Sequence, residues 1–179
     1  YISRCNVQNL YTGISDFSLN ESITKEEVSG DKVTLMGCAS IENSGSNAAY
    51  DSDGHKIEDR ILIQDNICCN YWGNQQFSQY VGKSEACIFS NFKVEGGQRS
   101  VEELKMQPYL EVVEFSDFQT DPTSGDFAGE IRLAYYYDGK KTTCVSGGSI
   151  SGNIQDAQKN FLFSKELKQH NNMIVPDTV

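Results

Sequence analysis

Two histidines, six cysteines and a set of turn carboxylates are the residues of this chain best suited to hold a metal or move a proton. A catalytic zinc needs three convergent protein ligands and an open position for water. His55 and His170 lack the spacing of a helical ligand pair, so neither a metal nor a catalytic set is assigned. The cysteines, at positions 5, 38, 68, 69, 87 and 144, lack the close pairs of a zinc ribbon and are expected to be reduced, mostly buried thiols. On a strand, the adjacent Cys68 and Cys69 point to opposite faces. Asp51-Ser52-Asp53-Gly54 begins like a calcium loop, but His55 and Lys56 stand where an oxygen ligand and a glycine are required. A plain acidic turn is the reading.

Gly147 and Gly152 have the glycine spacing of a phosphate loop, but Asn153 replaces the lysine that should follow. Ser149 and Ser151 have no neighbouring histidine and no nucleophile-elbow pattern. Asp121 and Asp126 could serve as a glycosidase pair, yet turn stabilisation explains both without a substrate.

The elements that position these groups centre on residues 119–160. Pro122 sets φ near −65° and Gly125 supplies positive φ, while Asp121, Ser124 and Asp126 can bond nearby backbone, so a tight multiple turn is expected. A tyrosine-rich strand over residues 130–137 stops at Asp138-Gly139, a hairpin signal, and residues 140–145 return antiparallel to it. In the first strand Tyr136 is expected to be core, with Tyr135 and Tyr137 outward. A glycine-serine loop over 146–153 then leads into a helix bearing Ile154, Ala157, Gln158, Phe161 and Leu162, with Ser151 or Asn153 as its cap.

Upstream, helical spacing of Val7, Leu10, Ile14 and Phe17 suggests a helix over residues 3–17, weakened by Gly13. Strands are predicted at 32–38, 60–64, 67–71, 86–94 and 109–118, with Asp65-Asn66 turning one hairpin. A short helix is predicted within 72–82. Ser100 with Glu103 forms a capping box for another helix, which Pro108 ends. Residues 163–179 read as a polar tail. The fold class is α+β, predominantly antiparallel, with two or three short helices and seven to nine strands.

The succession "DPTSGDF", "GEIRLAYYYDGK" and "VSGGSISGNIQDAQKN", preceded by "YDSDGHKIEDRILIQDN", resembles the carboxy-terminal part of the TldD/PmbA family, known as modulators of DNA gyrase and as metallopeptidases. The resemblance implies a strongly curved, barrel-like sheet over residues 31–179, with residues 1–30 as a helix end and connector from an upstream region. It implies that the family's zinc helix lies upstream. The family's terminal cysteine ligand has no counterpart in residues 163–179, which contain no cysteine. A non-catalytic, PmbA-like subunit of a proteolytic assembly is therefore expected, shaping a peptide-binding cavity. Its partner would be a TldD/PmbA-type subunit, in a homo- or hetero-oligomer. Two alternatives stay open: a zinc peptidase whose ligands lie outside this sequence, and a small-molecule-binding domain. No cofactor is assigned within the chain, zinc being left to the full-length protein or its partner. Binding is assigned to Asp121, Thr123, Gly125, Asp126 and Phe127 of the turn and to Tyr135 and Tyr137 of the adjoining strand.

Composition sets the outer bounds. At 179 residues the chain can bury roughly 70% of its unfolded surface without staples. A net charge of −10, with no basic cluster beyond Lys140-Lys141, argues against nucleic-acid binding. No apolar run suits a membrane span and no signal peptide is visible, so a cytoplasmic location is expected. Because the first residue is Tyr1 and not Met, the chain is read as a piece of a longer protein.

Overall fold

Short aliphatic runs broken by turns build the first sheet of this computed structural model, which describes residues 1–83 and 86–179. After a 3-10 turn at Ser3–Cys5 and helix α1 (Val7–Tyr11) come strands β1 (Leu35–Cys38), β2 (Arg60–Gln64) and β3 (Ile67–Cys68). Helix α2 (Gln75–Tyr80), strand β4 (Asn91–Val94) and helix α3 (Val101–Leu104) follow. Asp65 and Asn66 take φ of 50° and 66°, the left-handed pair that a two-residue hairpin turn requires, and so set the β2–β3 register. The capping box is present: Ser100 accepts from the Glu103 N–H at 3.1 Å, and the Glu103 carboxylate accepts from the Ser100 N–H at 2.7 Å.

The second sheet is an arm. Strands β5 (Tyr109–Thr120) and β6 (Asp126–Tyr137) pair antiparallel along their length, from Tyr109 opposite Tyr137 to Thr120 opposite Phe127. On the other side of β6 lie β7 (Thr142–Val145) and β8 (Ser149–Asn153), which leads into α4 (Ile154–Gln158). The chain ends in β9 (Leu167–His170) and β10 (Met173–Pro176).

The architecture is mixed α+β, with ten strands in two sheets and four short α-helices among the described residues. The first sheet has the order β3-β2-β1-β4-β10-β9 and does not close into a barrel. Its ends cannot meet: β3 is only two residues long, and β9 is exposed at all four positions, its Lys168, Gln169 and His170 suiting a solvated edge. Residues 163–179 are not a tail. Met173 and Ile174 pair with Phe92 and Lys93, the one parallel junction in an otherwise antiparallel sheet. Residues 149–153, expected as a loop, form β8. Gly147 and Gly148 at φ of 83° and 87° let the chain bulge and resume pairing with Ile131, through bonds of 3.0 and 2.9 Å. The first helix covers only residues 7–11, because Gly13 at φ 75° ends it.

The core lies against the first sheet. Leu35, Leu62, Ile63, Cys68 and Phe92 pack there with Cys5, Val7, Phe17 and Ile23 from the first thirty residues. Cys5, Cys38, Cys68 and Cys87 are buried free thiols, Cys69 is partly exposed and Cys144 exposed. Helix α4 is fixed to this core by a buried relay: the Tyr1 hydroxyl donates to Gln158, the Gln158 amide donates to Asn66 Oδ1 at 2.9 Å, and the same oxygen accepts from the Val33 N–H at 2.7 Å. Among the described residues no helix is long and apolar enough to cross a membrane.

Candidate functional site

The turn between β5 and β6 is bonded internally, as its residue types demand. Asp121 Oδ1 accepts from the N–H of Thr123 at 2.7 Å, and the Asp121 carbonyl accepts from Gly125 at 2.8 Å. The N–H groups of Thr123 and Ser124 hold the Asp121 carboxyl below the usual carboxylate range. Asn153 grips the turn from β8: its amide donates to the Ser124 carbonyl at 2.9 Å and to Asp126 Oδ1 at 2.8 Å. The Asn153 amide and the Ser124 hydroxyl lower the Asp126 carboxyl as well. Asn153 Oδ1 also accepts from the Gln155 N–H at 2.9 Å, so the side chain that clamps the turn caps α4. Gly125 has φ 82°, and a Cβ there would lie 2.9 Å from Ile154.

One face of the arm is a phenylalanine ladder. Phe115 and Phe118 have ring centroids 4.8 Å apart, and Phe118 stacks on Phe127 at 6.1 Å. Gly129 makes room for it, since a Cβ there would stand 2.5 Å from the Phe118 ring and 2.8 Å from the Phe115 ring. Beyond Ile131 the alternation of burial on β6 breaks, Leu133 being half-buried and Ala134 buried, where the pairing with β5 is irregular between Val112 and Asp117. Tyr136, expected in the core, is 46% exposed although it shares the face of Ala134, and Tyr135 is exposed too. Tyr137 packs on Tyr109, with centroids 5.4 Å apart.

Between the ladder and the body lies a cleft of about 640 Å³. The arm contributes Phe115, Phe118, Phe127 and Ile150, the body Arg4, Phe17, Ile23 and Phe161. Of the residues assigned to binding from sequence, Asp121, Gly125, Asp126 and Phe127 line this cleft, whereas Thr123 stays on the exposed outside of the turn. Tyr135 and Tyr137 lie at the other end of β6, so the structure does not bring the seven together. A second cleft, of about 620 Å³, follows β5 past Tyr109 and Glu111 and shares Phe115, Ile150 and Phe161 with the first.

Arg4 was missed in the sequence, because nothing local signals a buried cation. It is 8% exposed, pairs with Asp16 and lies 4.9 Å from the centroid of Phe17. The Gln158–Asn66 relay was equally invisible, joining residues far apart in the chain.

The zinc implied by a metallopeptidase family does not fit these residues. Among the described residues no three His, Cys, Asp or Glu side chains gather as a metal site. The acidic turn behaves as its sequence suggests. Burial pushes the Asp51 carboxyl up, but the N–H groups of Ile88, His55 and Asp53 outweigh it and leave the group below its usual range. Those three bonds, of 3.0, 2.8 and 3.0 Å, engage both carboxylate oxygens.

Comparison with known proteins places this geometry among relatives. The sequence profile of the PmbA/TldA metallopeptidase C-terminal domain matches residues 1–179. An uncharacterised protein of Methanocaldococcus jannaschii, MJ0231, is 22% identical over 166 residues, covering 86% of this chain and 40% of that protein. The fold is shared with crystal structures of TldE from Thermococcus kodakarensis (TM-score 0.79, 17% identity, 98% of this chain and 43% of that one) and of a candidate modulator of DNA gyrase from Bacteroides thetaiotaomicron (TM-score 0.80, 19% identity, 98% and 40%). The chain thus spans about two fifths of the length of these relatives.

Proposed function

The chain belongs to the PmbA/TldA metallopeptidase C-terminal domain family, and from that premise we propose that it is the non-catalytic, PmbA-like part of a proteolytic assembly, shaping a cavity for an extended peptide. The observation that carries this reading is the cleft under the arm: an apolar wall of stacked phenylalanines facing an apolar body, beside a twelve-residue strand whose outer edge pairs with no strand among the described residues. Such an edge offers backbone hydrogen bonds to an extended chain, and the ladder offers apolar seats for its side chains. In this reading zinc is held elsewhere in the parent protein or by a TldD/PmbA-type partner subunit. The turn carboxylates serve the turn, and no catalytic step is assigned to them.

Metal analysis of the full-length parent, alone and beside its TldD/PmbA-type partner, tests this directly when combined with peptide cleavage before and after chelation. Metal-free parent, with chelator-sensitive cleavage only in the presence of the partner, is the expected result. Stoichiometric zinc and cleavage by the parent alone would instead make it the peptidase.

A further inference from the structure

We propose that the cleft beneath the arm receives the free carboxylate end of an apolar peptide, with the Arg4 guanidinium as its anion partner; this rests on the peptide-cavity reading above.

The position of Arg4 follows from its neighbours. Cys5 and Val7 are fully buried, and the 3-10 turn that carries Cys5 inward, just before α1, also takes Arg4 to 8% exposure. A guanidinium has five N–H donors, and a buried cation is costly unless its donors and charge are matched. Among the described residues Arg4 makes one side-chain hydrogen bond, to Asp16, whose own side chain is 61% exposed. Arg4 Nε is buried with no partner, and the Phe17 ring lies 4.9 Å from the guanidinium carbon. The cation is held in place with more donors than acceptors, on the wall of a cleft otherwise faced mainly by hydrocarbon.

That combination selects a ligand class. A carboxylate fits the planar fork of a guanidinium, and apolar walls favour a hydrocarbon group attached to it. Asp121 and Asp126 at the cleft disfavour a multiply charged anion such as phosphate, but act weakly on a monoanion because they are exposed to water. A volume of about 640 Å³ accommodates a terminal residue and its neighbour. The second cleft, which shares Phe115, Ile150 and Phe161 as walls with the first, lies beside it along β5, where the preceding residues of a peptide would run. This adjacency favours a peptide end over a free acid.

The test uses the full-length protein and a fluorescein-labelled pentapeptide, Gly-Ser-Gly-Leu-Phe, as the free acid and as the carboxy-terminal amide, with unlabelled 3-phenylpropionate as a competitor. The free acid should bind about tenfold or more tightly than the amide, the scale of one charge-assisted hydrogen-bonded contact. Arg4→Met should abolish the difference, and Arg4→Lys should keep part of it. Asp16→Asn, which leaves Arg4 in place and removes its acid partner, should tighten the free acid alone, and it decides the matter if Arg4→Met does not fold. Equal binding of acid and amide by the unaltered protein overturns the inference and leaves the peptide-cavity reading standing. Binding of neither peptide overturns both, unless 3-phenylpropionate binds in an Arg4-dependent way; that result would keep the anion site and overturn the peptide as its occupant.

Discussion

Tyr71 joins the first residues of the chain to its core, and the chemistry of its hydroxyl gives a test in pH. The side chain is 7% exposed and its hydroxyl donates to the Phe17 carbonyl at 2.7 Å. Burial pushes its phenol up to about 12. The folded state therefore holds this proton more tightly than the unfolded chain, whose phenol titrates near 10. Stability from this source is complete below pH ~10 and is lost as pH rises from there through ~12. Tyr71→Phe should cost about 1 kcal/mol at neutral pH, the worth of one buried hydrogen bond, and make the alkaline decline in denaturation midpoint shallower. A decline should remain, because burial raises the Tyr1 phenol as well. Single residues were legible where their role was local. Ser100 with Glu103 and Asn153 could be recognised because a cap bonds to the next turn of the chain. The buried roles of Arg4 and of Gln158, which was read only as part of a helix, could not, because their partners come from other parts of the sequence.

At the scale of elements, the arm depends on its turns. Gly125 and Gly139 have φ of 82° and 96°, which a β-branched residue adopts only under strain. Replacing either by valine should destabilise the protein by ~1–3 kcal/mol, read as a lower thermal midpoint. Gly125→Val should be the worse of the two, because its Cβ would also press on Ile154 at 2.9 Å, whereas at Gly139 the nearest atom is 3.7 Å away. Asn153→Ala removes both the cap of α4 and the clamp on the turn, and should cost about 1–2 kcal/mol in chemical denaturation. Gly129→Ala should have a different signature. The new methyl displaces the Phe118 and Phe115 rings, so peptide affinity should fall by more than the change in stability explains. The hairpin of the arm could be read from Asp138-Gly139 and the turn at residues 121–126 because turn chemistry is local. The break in alternation near Ala134 could not, since it falls where the pairing of β5 with β6 is irregular, with extra residues on both strands. β9 and β10 were missed for a related reason: Leu167-Lys168-Gln169-His170 is polar enough to read as solvated, and only pairing with β10, itself paired with β4, makes the segment a sheet edge.

For the whole molecule, the body and the arm meet through α4, the Gln158–Asn66 relay and the cleft they enclose. The α+β class was recoverable from strand lengths and turn residues, but closure into a barrel was not, because it depends on whether two distant edge strands meet. They do not, and the assembly of a six-stranded body with a four-stranded arm leaves an apolar cleft between them. The central claim is that this cleft holds peptide. Site-specific photocrosslinking measures it most directly: a photoreactive phenylalanine analogue replaces Phe118 in the full-length protein, in the presence of the partner subunit and a labelled substrate peptide, with the same analogue at exposed Tyr80 as the control. The account predicts peptide adducts at position 118 that unlabelled peptide competes away, and none at position 80. Adducts equal at both positions, or absent at 118 while the assembly cleaves the peptide, would contradict it.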